Sequence, residues 1–502
     1  MLRNTILLLT AYIIIIVLTI QCTNVNGDKT IEVAANGDET TIPSNKELLR
    51  KISDEMLIKE IRRRGYKVKK RQKYNNNDNK NNDNKDNKKT QELKRKAREL
   101  NDNAISQAQS GDLWNAISKF KQLVQMIPDS SEYWNNLGVT QMRASVYHTA
   151  EASFRKAIEI DATYIDAQEN LNVLKSYLPH TKPHRESRPI KHVTRKAKRI
   201  HIKELLTNYK YKDYADGKKP FFLVGAMENA VALQKWKLRY LNNLFPNAMM
   251  DHYPQNMFRE AVKPRFVPIA HAFEDMLLSS SNMSVMYKDK PGVYIQWNLD
   301  YESWHKLMND FNDGLPKMFR VDDEWMNKCF KSDETRSEWQ RGTHWRMLLI
   351  GSQGSGMFGH KDILRTSSWQ AQITGYKRWH LCGPAQDKYM YKAGDVDAFD
   401  PDYERYPDFQ KINCIDDIAA PGEMIFYPKD YWHQTETWPD SEGNQAVSVT
   451  GTGVDAQNYR EVQAELEREC GPYDNRRISL SENVCRDLKE NCFSLWKNMW
   501  GK

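Results

Sequence analysis

The chain has 502 residues, of which 40% are hydrophobic, and a formal net charge of +8. This length predicts two or three domains, and the hydrophobic fraction can build their cores, which excludes a wholly unstructured chain. Much of the positive charge falls in residues 47–100 and 180–203, outside the segments with a folded pattern. We interpret it as the charge of solvated linkers and expect no nucleic-acid partner.

The N-terminus begins with a hydrophobic run, residues 4–20, that lies between Arg3 and a polar stretch. Its length is typical of a signal peptide and short for a membrane span, which needs about 20 apolar residues. We predict that residues 1–27 are a signal peptide, with an uncleaved signal anchor as the alternative. The rest of the chain is then expected in the endoplasmic reticulum lumen or outside the cell, and at a membrane only if the leader is kept.

Six cysteines follow the leader, and no two of them form a C-x-x-C motif. In an oxidising compartment they predict up to three disulfides, and the sequence leaves all fifteen connectivities open. They are Cys329, Cys382, Cys414, Cys470, Cys485 and Cys492.

Residues 28–90 are polar and end in an asparagine-rich tract, and we predict that they are disordered. Residues 91–178 instead contain a helical repeat with a spacing of 34, in which Gly111 corresponds to Ser145 and Phe120 to Phe154. The second copy, with Trp134 and Gly138 at matching offsets, resembles the tetratricopeptide repeat. Because stacked repeats are seldom stable in pairs, we expect these helices to pack on a neighbouring domain.

Three sequence patterns follow one another after the helical repeat. Residues 179–215 are basic and contain prolines, which predicts a linker. Residues 216–455 consist of short apolar runs separated by Gly, Pro and Asp, which predicts a mainly β sandwich or barrel with flanking helices. Residues 456–502 return to a helical, cysteine-containing pattern, expected to dock on this domain or to support an oligomer.

A possible metal site lies in the β region. His360 and Asp362 form an H-x-D motif, and His433 follows much later. Two imidazoles and one carboxylate are the ligands that non-haem Fe(II) oxygenases use. On a β-strand, residues i and i+2 share a face, so the motif predicts that His360 and Asp362 bind one ion, completed by His433.

The surrounding blocks strengthen this prediction. The H-x-D motif lies in GSGMFGHKD, Lys377 lies in the strand-like GYKRWHL, and PGEMIFYPKDYWH leads to His433. Together they resemble the JmjC branch of the cupin superfamily, over about residues 219–455. The resemblance implies a double-stranded β-helix (jelly roll) that uses Fe(II) and 2-oxoglutarate.

The resemblance also implies roles around the cosubstrate. His360, Asp362 and His433 are the expected metal ligands and catalytic residues, and Lys377 is expected to bind the far carboxylate of 2-oxoglutarate, with Thr450 supplying a hydroxyl. Gln370 stands where some relatives carry Asn, and Met357 where many carry Thr. Both departures fall in the cosubstrate pocket and not among the metal ligands.

The sequence therefore predicts a 2-oxoglutarate-dependent dioxygenase that hydroxylates a protein side chain in the secretory pathway. The tetratricopeptide-like helices are expected to bind the protein or peptide substrate. Two alternatives remain: a catalytically silent scaffold and a metal-dependent cupin of other chemistry. The substrate and the oligomeric state are not determined by the sequence.

Overall fold

The computed structural model describes residues 30–33, 67–70, 80–177, 190–253, 264–280, 292–311, 323–438, 440, 445–472 and 477–501. The predicted leader lies outside these residues, as does most of the predicted disordered segment. The chain divides into two compact units, residues 1–92 and 93–502. In the first unit, strands β1 (Thr30–Val33) and β2 (Lys67–Lys70) pair in parallel.

Five helices form the N-terminal helical region: α1 (Lys80–Ser110), α2 (Leu113–Met126), α3 (Ser131–Arg143), α4 (Tyr147–Ile160) and α5 (Ile165–Tyr177). Helix α1 begins at Lys80, inside the tract predicted to be disordered, because extending an existing helix costs less than starting one. The turns after α1 and α3 each contain a residue with positive φ, Gly111 at 91° and Ser145 at 63°. These two residues are 34 apart, as the predicted repeat requires.

The packing within this region also repeats. Asn136 donates to the side chain of Asn101, and Asn170 donates in the same way to Asn135, in both cases to a residue about one repeat earlier. Gly138 lies against the Phe154 ring so closely that a β-carbon there would be 2.6 Å from it. The small residue therefore allows α3 and α4 to approach each other.

The remaining helices and the strands form the mainly β region. The helices are α6 (Ile202–Thr207), α7 (Lys212–Ala215), α8 (Ala232–Lys235), α9 (Leu238–Leu244), α10 (Ile269–Ser280), α11 (Tyr301–Met308), α12 (Asp323–Cys329), α13 (Asp333–Gly342), α14 (Tyr459–Glu469), α15 (Glu482–Asp487) and α16 (Phe493–Trp500). The strands are β3 (Val193–Arg195), β4 (Arg199–His201), β5 (Phe221–Val224), β6 (Met249–Tyr253), β7 (Arg265–Pro268), β8 (Tyr294–Asn298), β9 (Arg346–Gly351), β10 (Gly356–His360), β11 (Ser367–Thr374), β12 (Tyr376–Cys382), β13 (Asn413–Ala419), β14 (Met424–Tyr427), β15 (Trp432–Trp438) and β16 (Ala446–Gly453).

These strands form two sheets that share a core. The five-stranded sheet has the order β10-β15-β12-β13-β3, and the nine-stranded sheet has the order β4-β5-β14-β11-β16-β9-β8-β6-β7. Trp379 and Leu381 of the first sheet pack against Phe222 and Ile425 of the second. This arrangement agrees with the predicted jelly roll, since its alternating strands bury one face of each sheet.

Part of the predicted linker belongs to this domain. Residues 190–215 include β3, which pairs with β13, and β4, which pairs with β5. Arg199 forms ion pairs with Asp417 at 3.0 Å and with Glu423 at 2.7 Å. The prediction of a solvated linker is therefore wrong for this half, because β3 and β4 pair with strands of the two sheets and Arg199 pairs with two carboxylates.

The helical region contacts the β region through α4 and α10. The buried carboxylate of Asp275 accepts a hydrogen bond from the Thr149 amide at 2.9 Å and lies 3.1 Å from Nε2 of His252. The ring of Trp114 stacks on His271 with centroids 5.1 Å apart. The expectation that the repeat helices pack on a neighbour is confirmed.

The C-terminal helices pack on the same chain. Trp496 is fully buried, and its ring centroid lies 5.2 Å from that of Trp325. The six cysteines form three disulfides, Cys329–Cys492, Cys382–Cys414 and Cys470–Cys485. Two of them involve the C-terminal helices, so the helical face predicted to dock is used within the domain. Oligomer formation through these helices stays a prediction. None of the helices described is long and apolar enough to cross a membrane.

Candidate active site

A cavity of about 370 Å³ lies between the two sheets. Alternate residues of each strand point into it, as the period of two in a β-strand requires. From the nine-stranded sheet these include Tyr294 and Gln296 of β8, Met347 and Leu349 of β9, Ser368 and Gln370 of β11, and Thr450 and Thr452 of β16. From the other sheet come His433 and Thr435 of β15.

The three predicted metal ligands meet at this cavity. His360 ends β10 and is paired in register with His433 of β15. Asp362 lies just beyond the strand, and its Oδ1 is 3.9 Å from Nε2 of His360 and 3.6 Å from Nε2 of His433. The three side chains each offer a ligand atom within 4.8 Å of the others. The H-x-D spacing predicted that His360 and Asp362 share one strand face, whereas β10 ends at His360 and the turn after it brings the carboxylate back to the imidazoles.

The backbone holds both imidazoles in a ligand orientation. Nδ1 of His360 is 2.7 Å from the carbonyl oxygen of Phe358, and Nδ1 of His433 is 3.3 Å from that of Tyr431. Because a carbonyl only accepts, each Nδ1–H donates to it, which leaves the Nε2 atoms on the side of Asp362. This donor set fits a divalent metal ion of the kind that non-haem oxygenases bind.

Two hydroxyls hold the carboxylate. Ser368 and Tyr427 donate to Oδ2 of Asp362 at 2.5 Å and 3.1 Å, which leaves Oδ1 facing the imidazoles. Burial lowers the pKa of His360 to about 4, and the neighbouring His433 adds to this effect. Burial would raise the pKa of Asp362, but the neighbouring imidazoles of His433 and His360 and the hydrogen bonds from Ser368 and Tyr427 lower it. The site therefore favours a neutral imidazole at His360 and an ionised carboxylate.

Lys377 is buried at the far end of the site. Its amine donates to Oγ of Ser448 at 3.0 Å and lies 5.6 Å from the centroid of the Tyr294 ring. Burial lowers the pKa of Lys377 to about 7. Gln370 also donates to Ser448, so this hydroxyl links the two predicted cosubstrate residues. The cavity lining that the structure describes includes Tyr294 and Gln370 but not Lys377 itself.

Thr450 has a different place from the one expected. Its hydroxyl donates to the backbone carbonyl of Trp369 at 2.7 Å, while its side chain lines the cavity. The hydroxyl in contact with Lys377 is that of Ser448, two residues earlier on β16. A pair of lysine and hydroxyl is therefore formed by Lys377 and Ser448, while the roles of Lys377 and Thr450 toward the cosubstrate stay predictions.

Met357 fills the position where a hydroxyl residue was expected. Its sulfur lies 3.1 Å from Nε2 of Gln296, whose Oε1 accepts a hydrogen bond from Tyr253. The thioether thus takes part in a polar chain along the cavity wall. It occupies cavity space without displacing His360, His433 or Asp362.

Sequence reasoning missed three residues of the site, Ser368, Tyr427 and Ser448. Two of them carried a usable signal: Ser368 lies two residues before Gln370, and Ser448 two residues before Thr450, so strand periodicity places each pair on one face. Tyr427 lies in the block PGEMIFYPKDYWH, but nothing local indicates that its hydroxyl reaches Asp362.

Comparison with known proteins agrees with this geometry. A family model described as a cupin-like domain matches residues 166–450. The chain is 28% identical over 211 residues to "Arginine-specific demethylase JMJ20" of Arabidopsis thaliana, which covers 38% of this chain and 43% of the relative. It is 25% identical over 256 residues to "Bifunctional arginine demethylase and lysyl-hydroxylase psr-1" of Caenorhabditis briggsae, covering 47% and 57%.

A third relative is "2-oxoglutarate and iron-dependent oxygenase JMJD4" of Danio rerio, 23% identical over 215 residues, covering 38% of this chain and 51% of the relative. The chain thus spans about half the length of the curated relatives it matches. The matched family region includes His360, Asp362, Lys377, His433 and Thr450.

Proposed function

Because the chain belongs to the cupin-like domain family, we propose that it is an Fe(II)- and 2-oxoglutarate-dependent oxygenase that hydroxylates a protein side chain. One observation carries the proposal: two imidazoles and one carboxylate converge within 4.8 Å at a cavity lined by Gln370, and Gln370 shares the Ser448 hydroxyl with the buried Lys377. A relative named for 2-oxoglutarate and iron supports it.

Different residues would bind the metal ion, bind the cosubstrate and orient the carboxylate ligand. His360, His433 and Asp362 would hold the metal ion on one side, and Lys377 with Ser448 would hold the far carboxylate of 2-oxoglutarate. When bound, the metal and cosubstrate supply the oxidation, in which one oxygen atom of O₂ enters a substrate C–H bond and the other enters succinate, with loss of CO₂. Ser368 and Tyr427 keep the Asp362 carboxylate oriented throughout.

A protein substrate is supported by two kinds of observation. The names of two relatives refer to arginine demethylation and, for one of them, lysyl hydroxylation. The helical region carries a repeat resembling tetratricopeptide repeats, which suits a peptide-binding surface. We assign the recruitment of the substrate to this region.

The secretory location is part of the same proposal. It rests on the hydrophobic leader and is supported by the three disulfides, which form and persist in oxidising compartments. Protease protection of the full chain in microsomes tests it. A chain fully digested without detergent would overturn this location.

Succinate release by purified protein with Fe(II) and 2-oxoglutarate tests the activity. Asp362→Ala and His360→Ala should each lower turnover by at least about 100-fold, since the metal loses a ligand. Asp408→Asn is the matched control, because that exposed carboxylate pairs only with Lys411 among the residues described. Equal turnover in all variants would refute the proposal.

The alternative, a catalytically silent scaffold, rests on Met357 in the cavity. Calorimetry separates the two, since a scaffold should bind neither Mn(II) nor the cosubstrate analogue N-oxalylglycine. Binding of both, with loss in Asp362→Ala, excludes it.

A further inference from the structure

A second cavity, of about 540 Å³, lies beside the metal cavity on the nine-stranded sheet. It is formed by β6, the end of β8, the loop after α9 and the start of α11. Its lining includes Phe245, Asp251, Phe266, Trp297, Asn298 and Lys306. None of its lining residues is among those proposed to bind the metal ion or 2-oxoglutarate.

The register of the strands relates the two cavities. Tyr253 and Tyr294 line the metal cavity and are paired with each other, and Asp251 is two residues from Tyr253 on the same face of β6. Asn298 is in register with Met347, and Met347 with Thr450. The second cavity therefore continues the same concave sheet surface, away from the Lys377 end.

Two neighbouring residues in its wall, Asp251 and Asn298, carry acceptor oxygens. Oδ1 of Asn298 is buried and has no hydrogen-bond partner among the residues described. Its Nδ2 contacts Oδ2 of Asp251 at 3.4 Å. Burial raises the pKa of Asp251, and no neighbouring cation of the described structure offsets this effect. A carboxylate and an amide oxygen in such a setting require a donor.

The cations around the cavity already have partners. Arg341 lies 3.5 Å from the carboxylate of Asp300, and Lys306 donates to the carbonyl of Leu244 at 2.9 Å and lies 5.0 Å from the centroid of the Phe245 ring. Phe245 forms an edge-to-face pair with Trp297, with centroids 4.7 Å apart, so this aromatic wall already holds one cation. Aromatic faces favour a cation over an anion.

We propose that this cavity is a recognition subsite for an arginine or lysine side chain of the substrate, bound by Asp251 and Asn298. The inference rests on the proposed function, which places the modified residue at the metal. From β16 across β9 and β8 to β6 is three strand spacings, about 14 Å. An extended peptide covers about 3.3 Å per residue, so the basic residue would lie about four residues from the modified one.

A randomised nonapeptide phage library, screened against the full chain, tests the subsite. The wild-type protein should enrich Arg and Lys at least about fivefold, and Asp251→Asn should abolish this enrichment. Asp251→Lys should enrich Asp and Glu instead, because the charge of the subsite is reversed. Asp408→Asn is the control with an exposed carboxylate removed elsewhere, and every variant is first checked for an unchanged Tm.

The screen is run with and without Mn(II) and N-oxalylglycine, so that it measures peptide binding and not turnover. Failure to bind the metal or the analogue would contradict the proposed oxygenase activity. Enrichment of basic residues that depends on Asp251 would still support the subsite. Absence of basic residues among wild-type peptides, or equal enrichment in Asp251→Asn, would overturn the subsite. Failure of Asp251→Lys to enrich Asp and Glu would also overturn the subsite.

Discussion

The amine of Lys377 donates a hydrogen bond to the hydroxyl of Ser448, 3.0 Å away, at the buried end of the site. The two residues come from different sheets, Lys377 from β12 and Ser448 from β16. A carboxylate bound here would meet an ammonium and a hydroxyl already oriented toward each other. Thr450, whose hydroxyl is committed to Trp369, is not placed for that role.

Ser448→Ala should therefore weaken cosubstrate binding more than Thr450→Val. A hydrogen bond to a charged group contributes about 1.5–3 kcal/mol, so we expect Kd for N-oxalylglycine to rise at least about tenfold in Ser448→Ala. Thr450→Val removes a hydroxyl that already donates to the Trp369 carbonyl, so it should raise Kd by less than Ser448→Ala does. Calorimetry with Mn(II)-loaded protein measures both, and the reverse order would restore Thr450 to the role first predicted.

Cosubstrate affinity should depend on pH through Lys377. Its pKa of about 7 means that the empty site loses the proton above pH 7, whereas a bound carboxylate favours the ammonium. Binding then takes up a proton, and Kd for N-oxalylglycine should rise by up to about tenfold per pH unit above pH 7. Tyr294, which faces the amine, has a pKa raised by burial and stays neutral in this range.

Lys377→Arg provides the control for this pH dependence, because a guanidinium stays protonated throughout. Its Kd should be flat between pH 6 and 9 if it binds the analogue. A wild-type Kd that does not change with pH would contradict the prediction.

The hydroxyls of Ser368 and Tyr427, which donate to Asp362, should increase the affinity of the site for a metal ion. Removing a group that orients a metal ligand costs about 10- to 100-fold in affinity, so Ser368→Ala and Tyr427→Phe should each raise Kd for Mn(II) by about tenfold or more. Ser367→Ala is the matched control, since that neighbouring hydroxyl donates to Asp455 on the opposite face of β11. Titration followed by electron paramagnetic resonance measures free Mn(II), and equal Kd values in Ser367→Ala and Ser368→Ala would refute the assignment.

The contact between the helical and β regions should depend on Asp275. Asp275→Ala removes the acceptor of the Thr149 amide beside the buried His252, and leaving such a donor unsatisfied costs about 1–3 kcal/mol. The urea midpoint of unfolding should fall accordingly. Glu274→Gln, one residue away in the partly exposed pair with Lys121, should change stability by about 1 kcal/mol or less. If Asp275→Ala and Glu274→Gln lowered the urea midpoint by similar amounts, the contact would depend on surface charge instead.

The residues that meet at the cavity could be named from the sequence because their chemistry is local. His360 and Asp362 are two residues apart, Lys377 and His433 lie within recognisable blocks, and a metal site needs these side chains whatever surrounds them. The alternation of apolar runs likewise predicted a mainly β domain, and the 34-residue spacing predicted helices that pack on a neighbour.

Tertiary structure alone decided the relations between distant segments. Ser448 meets Lys377 because β16 and β12 face each other across the core, and no local pattern distinguishes it from Thr450. The pairing of the six cysteines and the incorporation of β3 and β4 into the sheets also depend on contacts between distant segments. Even in the H-x-D motif, a turn after β10 and not a shared strand face brings Asp362 to His360. Residue types determine which chemistry is available, while packing determines which atoms meet.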